Sequence, residues 1–302
     1  MRNSFSDVLV EAAISDPRIY LLTGDHGYAL FDSLRKKCPA KYINAGVAEQ
    51  NMVGVAAGLA KTGLLPIVYG LASFIPIRVL EQIKLDICFE NLPVVLIGDG
   101  AGVVYSNLGV SHQCFEDIAA ARALPNLRVF SPCDKYEMKL CLENALLTKG
   151  PTYIRIGKSD LGSIHARNDF ADVPGIHEVI KAQGSSPVIM ATGSMVKVAQ
   201  KLIEKEFSGF GLYSVLCIKP FDQNAFLKFT KDSKMIITME EHSVFGGLGS
   251  MISEVVTSSI PKKVLRLGIE DRFTDKCGTY EFIMREHGLD EKTLINKIKL
   301  QV

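Results

Sequence analysis

Neither sign of charge dominates this chain: 34 basic residues stand against 33 acidic ones, a formal net of +1 over 302 residues. That balance removes the electrostatic basis for a nucleic-acid or anionic-membrane partner. Long apolar runs are missing too, and none approaches the ~20 residues that a bilayer-spanning helix requires. The first residues, Met1-Arg2-Asn3-Ser4-Phe5-Ser6-Asp7, lack the pattern of a signal peptide. Cysteine is present but unorganised: seven residues, an odd number, with no C-x-x-C pair. This argues against a disulfide framework or a zinc site and for reduced thiols, so a soluble cytoplasmic protein is expected. No internal repeat or low-complexity tract occurs. What is present is ordinary globular material, 47% hydrophobic and 22% charged, enough for two domains that each bury a core.

Hydrophobic patterning predicts alternating helices and strands. A helix with Phe5, Val8, Leu9, Ala12 and Ala13 on one stripe spans 4–15, followed by a buried strand at Ile19–Leu22. Further strands are predicted at Tyr42–Asn44, Leu64–Tyr69, Pro93–Ile97, Leu127–Phe130 and Thr152–Ile156, with helices over 49–62, Ser73–Glu90, 115–124 and 134–148. The strand at 93–97 is apolar on both faces, as in a parallel sheet covered by helices. This reads as a doubly wound α/β domain over 1–160, in which the loops after the strands carry the chemistry. Asp25, Glu49, Tyr69 and the loop 99–113 fall there. A polar stretch, 161–184, reads as a linker, and a second doubly wound α/β domain is predicted over 185–302.

The stretch with the most chemical content is Gly46-Val47-Ala48-Glu49-Gln50, opening a helix rich in Ala and Gly. Glu49 is the only acid between Asp32 and Glu81. A carboxylate held alone among apolar groups acquires a raised pKa and can exchange a proton near neutrality; alternatively, it only favours the positive end of the helix dipole. Gly54 and Gly58, four apart, leave one helix face nearly bare, which predicts close approach of another backbone.

These residues resemble the G-[IV]-A-E-[QH] segment of the pyrimidine-binding domain of transketolases and their relatives. The resemblance implies that Glu49 hydrogen-bonds a ring nitrogen of thiamine diphosphate and thereby promotes loss of the thiazolium proton. Phe74, in Ser73-Phe74-Ile75-Pro76-Ile77-Arg78, corresponds to the aromatic that stacks on the cofactor ring, and Tyr69 and Asp25 are expected nearby. Gly109-Val110-Ser111-His112-Gln113 is similar to the family loop G-x-T-H-Q, which implies that His112 and Gln113 meet substrate. Arg78, Arg155 and Arg2 are the candidate anion binders. The acid that reads an aldose hydroxyl in transketolases falls here at Asn107 or Leu108, and the arginine of related synthases falls at Gly100. Both departures imply an unusual acceptor, such as a deoxy or keto sugar.

Gly98-Asp99-Gly100 followed by Asn126 mimics a magnesium-diphosphate motif. Asn126 precedes its strand rather than following it, so no metal ligand is assigned. Glu240-Glu241-His242 with Gly246-Gly247-Leu248-Gly249-Ser250 resembles an element of the transketolase C-terminal domain, and its glycine turn serves either packing or an anion. The resemblance runs from residue 2 to about 300 and includes no diphosphate-binding domain. It therefore implies the C-terminal subunit of a split enzyme, with Mg²⁺ and diphosphate held by an N-terminal partner in a two-plus-two heterotetramer. The alternatives are a beta subunit of a 2-oxo-acid dehydrogenase and a non-catalytic partner of a thiamine enzyme.

Overall fold

The computed structural model describes residues 1–27, 29–166 and 175–302. The chain begins with helix α1 (Arg2–Ser15), then strand β1 (Ile19–Thr23), α2 (Asp32–Lys37), β2 (Tyr42–Asn44), α3 (Glu49–Lys61) and β3 (Leu65–Leu71). The irregular helix α4 (Leu80–Gln82) follows, then β4 (Val95–Asp99), α5 (Asp117–Ala123), β5 (Arg128–Phe130), α6 (Lys135–Leu147) and β6 (Thr152–Ile156). The second half has β7 (Ile176–Ile180), β8 (Val188–Ala191), α7 (Met195–Glu206), β9 (Gly211–Val215), β10 (Cys217–Lys219) and α8 (Gln223–Thr230). It ends with β11 (Met235–Ser243), α9 (Leu248–Ser258), β12 (Lys263–Ile269), α10 (Tyr280–Glu286) and α11 (Glu291–Lys299).

Two mostly parallel sheets result, in the orders β10-β5-β6-β4-β3-β1-β2 and β12-β11-β8-β9-β7. Each has one antiparallel edge strand: β10 against β5 and β7 against β9. Strand alternation sorts the apolar residues of the first sheet onto two faces. Leu21, Ile67, Ile97 and Ile154 pack under α1 and α6 with Phe5, Leu9 and Met138. Leu22, Val68, Leu96 and Val129 face α3 and continue without a break into Val188, Met190 and Ile236 of the second sheet. The two domains therefore share core.

Three expectations change. The stretch 161–184 is more than a linker, because β7 lies within it and closes the second sheet; its residues 167–174 lie outside the described residues. The helix expected over 73–90 starts later. Pro76 has no N–H to give and restricts the residue before it, so Phe74 and Ile75 form a turn, both donating to the Leu71 carbonyl. A 3-10 turn (Ile77–Val79), α4 and a π-helical turn (Ile83–Cys88) follow. The bare glycine face of α3 meets no other segment among the described residues. Met52, Val53, Ala56, Ala57 and Ala60 are buried, whereas Gly54, Val55 and Gly58 are exposed, and a Cβ at either glycine would meet nothing within 4 Å. All seven cysteines are free thiols. Among the described residues no helix is long and apolar enough to cross a membrane.

Candidate active site

The C-terminal edge of the first sheet gathers the loops that follow β1 to β4. Glu49 is the first residue of α3 and only 5% exposed. It does not stand alone as expected: Arg78 Nη1 donates to its Oε2 at 3.0 Å. The same guanidinium lies 3.9 Å from the centroid of the Phe74 ring. Phe74 in turn meets His112 edge-on, with centroids 5.6 Å apart. His112 Nδ1 is 2.9 Å from Ser111 Oγ. Four residues from three separate stretches, 49, 74–78 and 112, thus form one contact chain, half open to solvent at Arg78, whose side chain is 45% exposed.

Several buried polar atoms around this edge have no hydrogen-bond partner: Ser73 Oγ, His26 Nε2 and both amide atoms of Gln113. Buried polar atoms are normally satisfied, so a cluster of orphans at one edge marks a place where a ligand's donors and acceptors fit. His26 is not singled out by the sequence. It sits in the loop after β1, beside Gly70, where a Cβ would clash with Ile75 Cγ1 at 2.7 Å rather than with the imidazole. Burial pulls its pKa below the ordinary value, opposed by the charges of Glu49, Asp99 and Asp25. The only signal in the sequence is its position directly after Asp25 at a strand end.

The other expected residues are exposed in these same loops or engaged inside the chain. Asp25 and Asn107 are exposed in the loops. The Tyr69 ring lies in the core, fully buried, stacked on Phe5 at 5.6 Å and edge-on to Phe31 at 5.0 Å, while its hydroxyl is another buried atom without a hydrogen-bond partner. Arg2 Nε faces buried Asp99 Oδ2 at 3.4 Å, so its charge is answered inside the chain. Arg155 corrects the expectation of a free anion binder. It is 1% exposed, its Nε donates to Asp117 at 2.8 Å, and its Nη2 donates to the Glu241 carbonyl at 2.6 Å. Asp99 ends β4 whereas Asn126 precedes β5, with Asn126 Nδ2 bonded to the Cys88 carbonyl at 2.9 Å. Since β4 and β5 both run parallel to β6, the two residues lie at opposite ends of the sheet, separated by roughly 15 Å of strand.

In the second domain, the glycine turn before α9 has its own anion. Glu240 accepts from the Leu248 and Gly249 amides at 2.7 and 2.8 Å, and a Cβ at Gly247 would fall 2.0 Å from Glu240 Oε2. Glu241 ties the domains together, accepting from Val103 N, Ser194 Oγ and Tyr280 Oη.

Comparison with known proteins identifies both domains. Residues 1–163 match the pyrimidine-binding domain of transketolase and residues 177–293 its C-terminal domain. The chain belongs to the transketolase family. A putative transketolase C-terminal section from Methanocaldococcus jannaschii is 32% identical over 99% of this chain and 95% of its own length. One subunit of an apulose-4-phosphate transketolase from Phocaeicola vulgatus is also 32% identical, over 96% of this chain and 94% of its own length. A solved split-gene transketolase, described as an inactive β4 tetramer, superposes with a TM-score of 0.86 at 31% identity, covering 99% of this chain and 96% of that one. The protein is accordingly a transketolase subunit made of the family's pyrimidine-binding and C-terminal domains. These similarities do not favour the dehydrogenase alternative.

Proposed function

We propose that this subunit transfers a two-carbon ketol unit from a ketose to a sugar-derived aldehyde or ketone, using a site completed by an N-terminal subunit. The carrying observation is the contact chain Glu49–Arg78–Phe74–His112. Thiamine diphosphate, bound with Mg²⁺ held mainly by the partner, supplies the nucleophilic carbon. The residues here fit its pyrimidine end. A flat, donor-bearing guanidinium already reaches from the Glu49 carboxylate to the face of Phe74, which supports a slot that accepts a planar group with N–H donors.

In this reading Glu49 accepts a hydrogen bond from the pyrimidine and holds the proton balance of the ring. Phe74 stacks on it, a contact worth about 1 kcal/mol beyond burial. Arg78 swings toward solvent, where its guanidinium meets a substrate anion bidentately. His112 and Gln113 face substrate oxygens, and His112 is the member that carries a proton between them. Asn107 or Leu108, at the place where the resemblance puts a hydroxyl-reading acid, supports an acceptor lacking the usual hydroxyl. The open Gly54/Gly58 face of α3 supports docking of a further subunit in a symmetric two-plus-two assembly, and seven free thiols suit the cytoplasm.

Calorimetric titration of thiamine diphosphate with Mg²⁺ into this chain alone, and into its mixture with the N-terminal subunit, tests the reading. Tight binding only in the mixture is expected. Tight binding by this chain alone overturns the shared site, and binding by neither overturns the catalytic reading.

A further inference from the structure

A second group of chemically capable side chains lies far along the chain from the active-site loops, where the first domain hands over to the second. Cys133 and Glu137 flank the start of α6, and His165 lies in the segment leading toward β7. Cys133 Sγ is 3.8 Å from His165 Nε2, and that nitrogen is 3.0 Å from Glu137 Oε1. One ligand atom from each of the three residues lies within 4.8 Å of the others. From β7, His177 places Nδ1 3.0 Å from the same Glu137 oxygen.

We infer that Cys133, Glu137 and His165 form a binding site for a divalent transition-metal ion of the zinc class. Zinc takes thiolate, imidazole and carboxylate at ~2.0–2.3 Å in a tetrahedron. Such a tetrahedron spaces sulfur from nitrogen by about 3.5 Å and nitrogen from oxygen by about 3.3 Å. The observed 3.8 and 3.0 Å depart from these by a few tenths of an ångström. A dication with one thiolate, one carboxylate and one neutral imidazole sums to zero charge, the form that a buried cluster tolerates. The thiol is pushed well above its ordinary pKa by burial and by the charges of Glu137 and Asp134; a bound dication reverses that sign and deprotonates a coordinating thiol.

The surroundings hold the donors in place. Glu137 Oε2 accepts from Cys133 N at 2.7 Å, fixing the carboxylate at the helix start. Asp134 caps α6 through Tyr136 N and Glu137 N with one oxygen and holds Ile164 N and His165 N with the other. His177 braces Glu137 as an outer partner, and such partners commonly change metal affinity 10- to 100-fold. A fourth position is left to water. The ion would fasten the inter-domain crossover to the first domain, with β7 of the second sheet in contact through His177.

Cobalt(II) titration of the full-length, chelator-treated chain is the test. One equivalent is expected to produce a thiolate-to-cobalt charge-transfer band, displaced by Zn²⁺ and retained in Cys277→Ser, which alters an exposed thiol. Cys133→Ser should abolish the band, and His165→Gln should weaken Co²⁺ affinity at least tenfold. Absence of the band in the unaltered chain, or its persistence in Cys133→Ser, overturns the site. If Cys133→Ser fails to fold by circular dichroism, His165→Gln decides: unchanged spectrum and affinity refute the proposal.

Discussion

Replacing Arg155 with methionine separates a structural arginine from a substrate-binding one. The guanidinium and its partner Asp117 are 1% and 0% exposed, and Tyr153 Oη donates to the same carboxylate at 2.7 Å. Removing one member of a buried pair leaves the other charged and desolvated, at a cost of about 3–5 kcal/mol. The lost bond to the Glu241 carbonyl adds about 1 kcal/mol, while the Tyr153 hydroxyl and the start of α5 offset part of this by still stabilising Asp117. A net loss of about 4 kcal/mol, at a urea slope of about 3 kcal/mol/M, lowers the unfolding midpoint by roughly 1.3 M. Circular dichroism against urea reads it directly. Pairing Arg155→Met with Asp117→Leu should recover most of the loss, because an apolar pair of similar volume needs no counter-charge. An unchanged midpoint together with a raised KM for an anionic acceptor would refute this account and return Arg155 to the substrate.

Glu49→Gln, assayed with the N-terminal subunit, should lower kcat by about 10²–10⁴, the usual range for losing a positioned acid–base group, while leaving the unfolding midpoint nearly unchanged; unaltered turnover removes its catalytic role. His242 predicts an acid limb of stability. Its Nδ1 lies 2.8 Å from the Ser243 carbonyl and its Nε2 accepts from Ala119 N at 3.3 Å, so the neutral ring is satisfied on both sides, and burial lowers its pKa to about 4. The folded pKa lies below the unfolded one, so this contribution is whole above about pH 6.5 and declines as pH falls towards 4, by about 3 kcal/mol in all. His242→Asn should flatten that limb in urea titrations at stepped pH. Gly54→Ala and Gly58→Ala should each stabilise the isolated chain by about 1 kcal/mol, seen as a higher Tm, while weakening its assembly on a sizing column; unaltered assembly removes α3 from the interface.

Much of the fold was legible because apolar periodicity is strong here: β2 and β6 occupy the predicted residues, and α3 and α6 differ from prediction by one residue at an end or two. The misses share a cause. Arg155 occupies a predicted strand, so its reading as an anion binder depended on which way the side chain points, and that is decided by packing, as it is for the ring of Tyr69. Tyr69 turns towards Phe5, and Arg155 is drawn to Asp117, 38 residues earlier. β7 went unseen because its burial alternates only partly and its neighbour, β9, comes later in the chain. The cluster of Glu49, Phe74, Arg78 and His112 was found by motif, but the Glu49–Arg78 pair needed coordinates. The Cys133 cluster has no motif spacing at all, since its donors come from two segments 28 residues apart.

The antiparallel strand β10 bears on where this polypeptide can be divided. Cys217 and Lys219 pair with Phe130 and Val129, so a strand encoded after the second domain has begun completes the sheet of the first. Cutting the gene within the crossover would leave β5 as a raw edge with unpaired backbone groups, an invitation to aggregation. Its complement would lose the sheet that shelters β10. Expression of either half by itself is predicted to give insoluble material, whereas co-expression of the two fragments should restore a soluble complex through that one strand. The polypeptide is thus two domains by topology but one unit of inheritance.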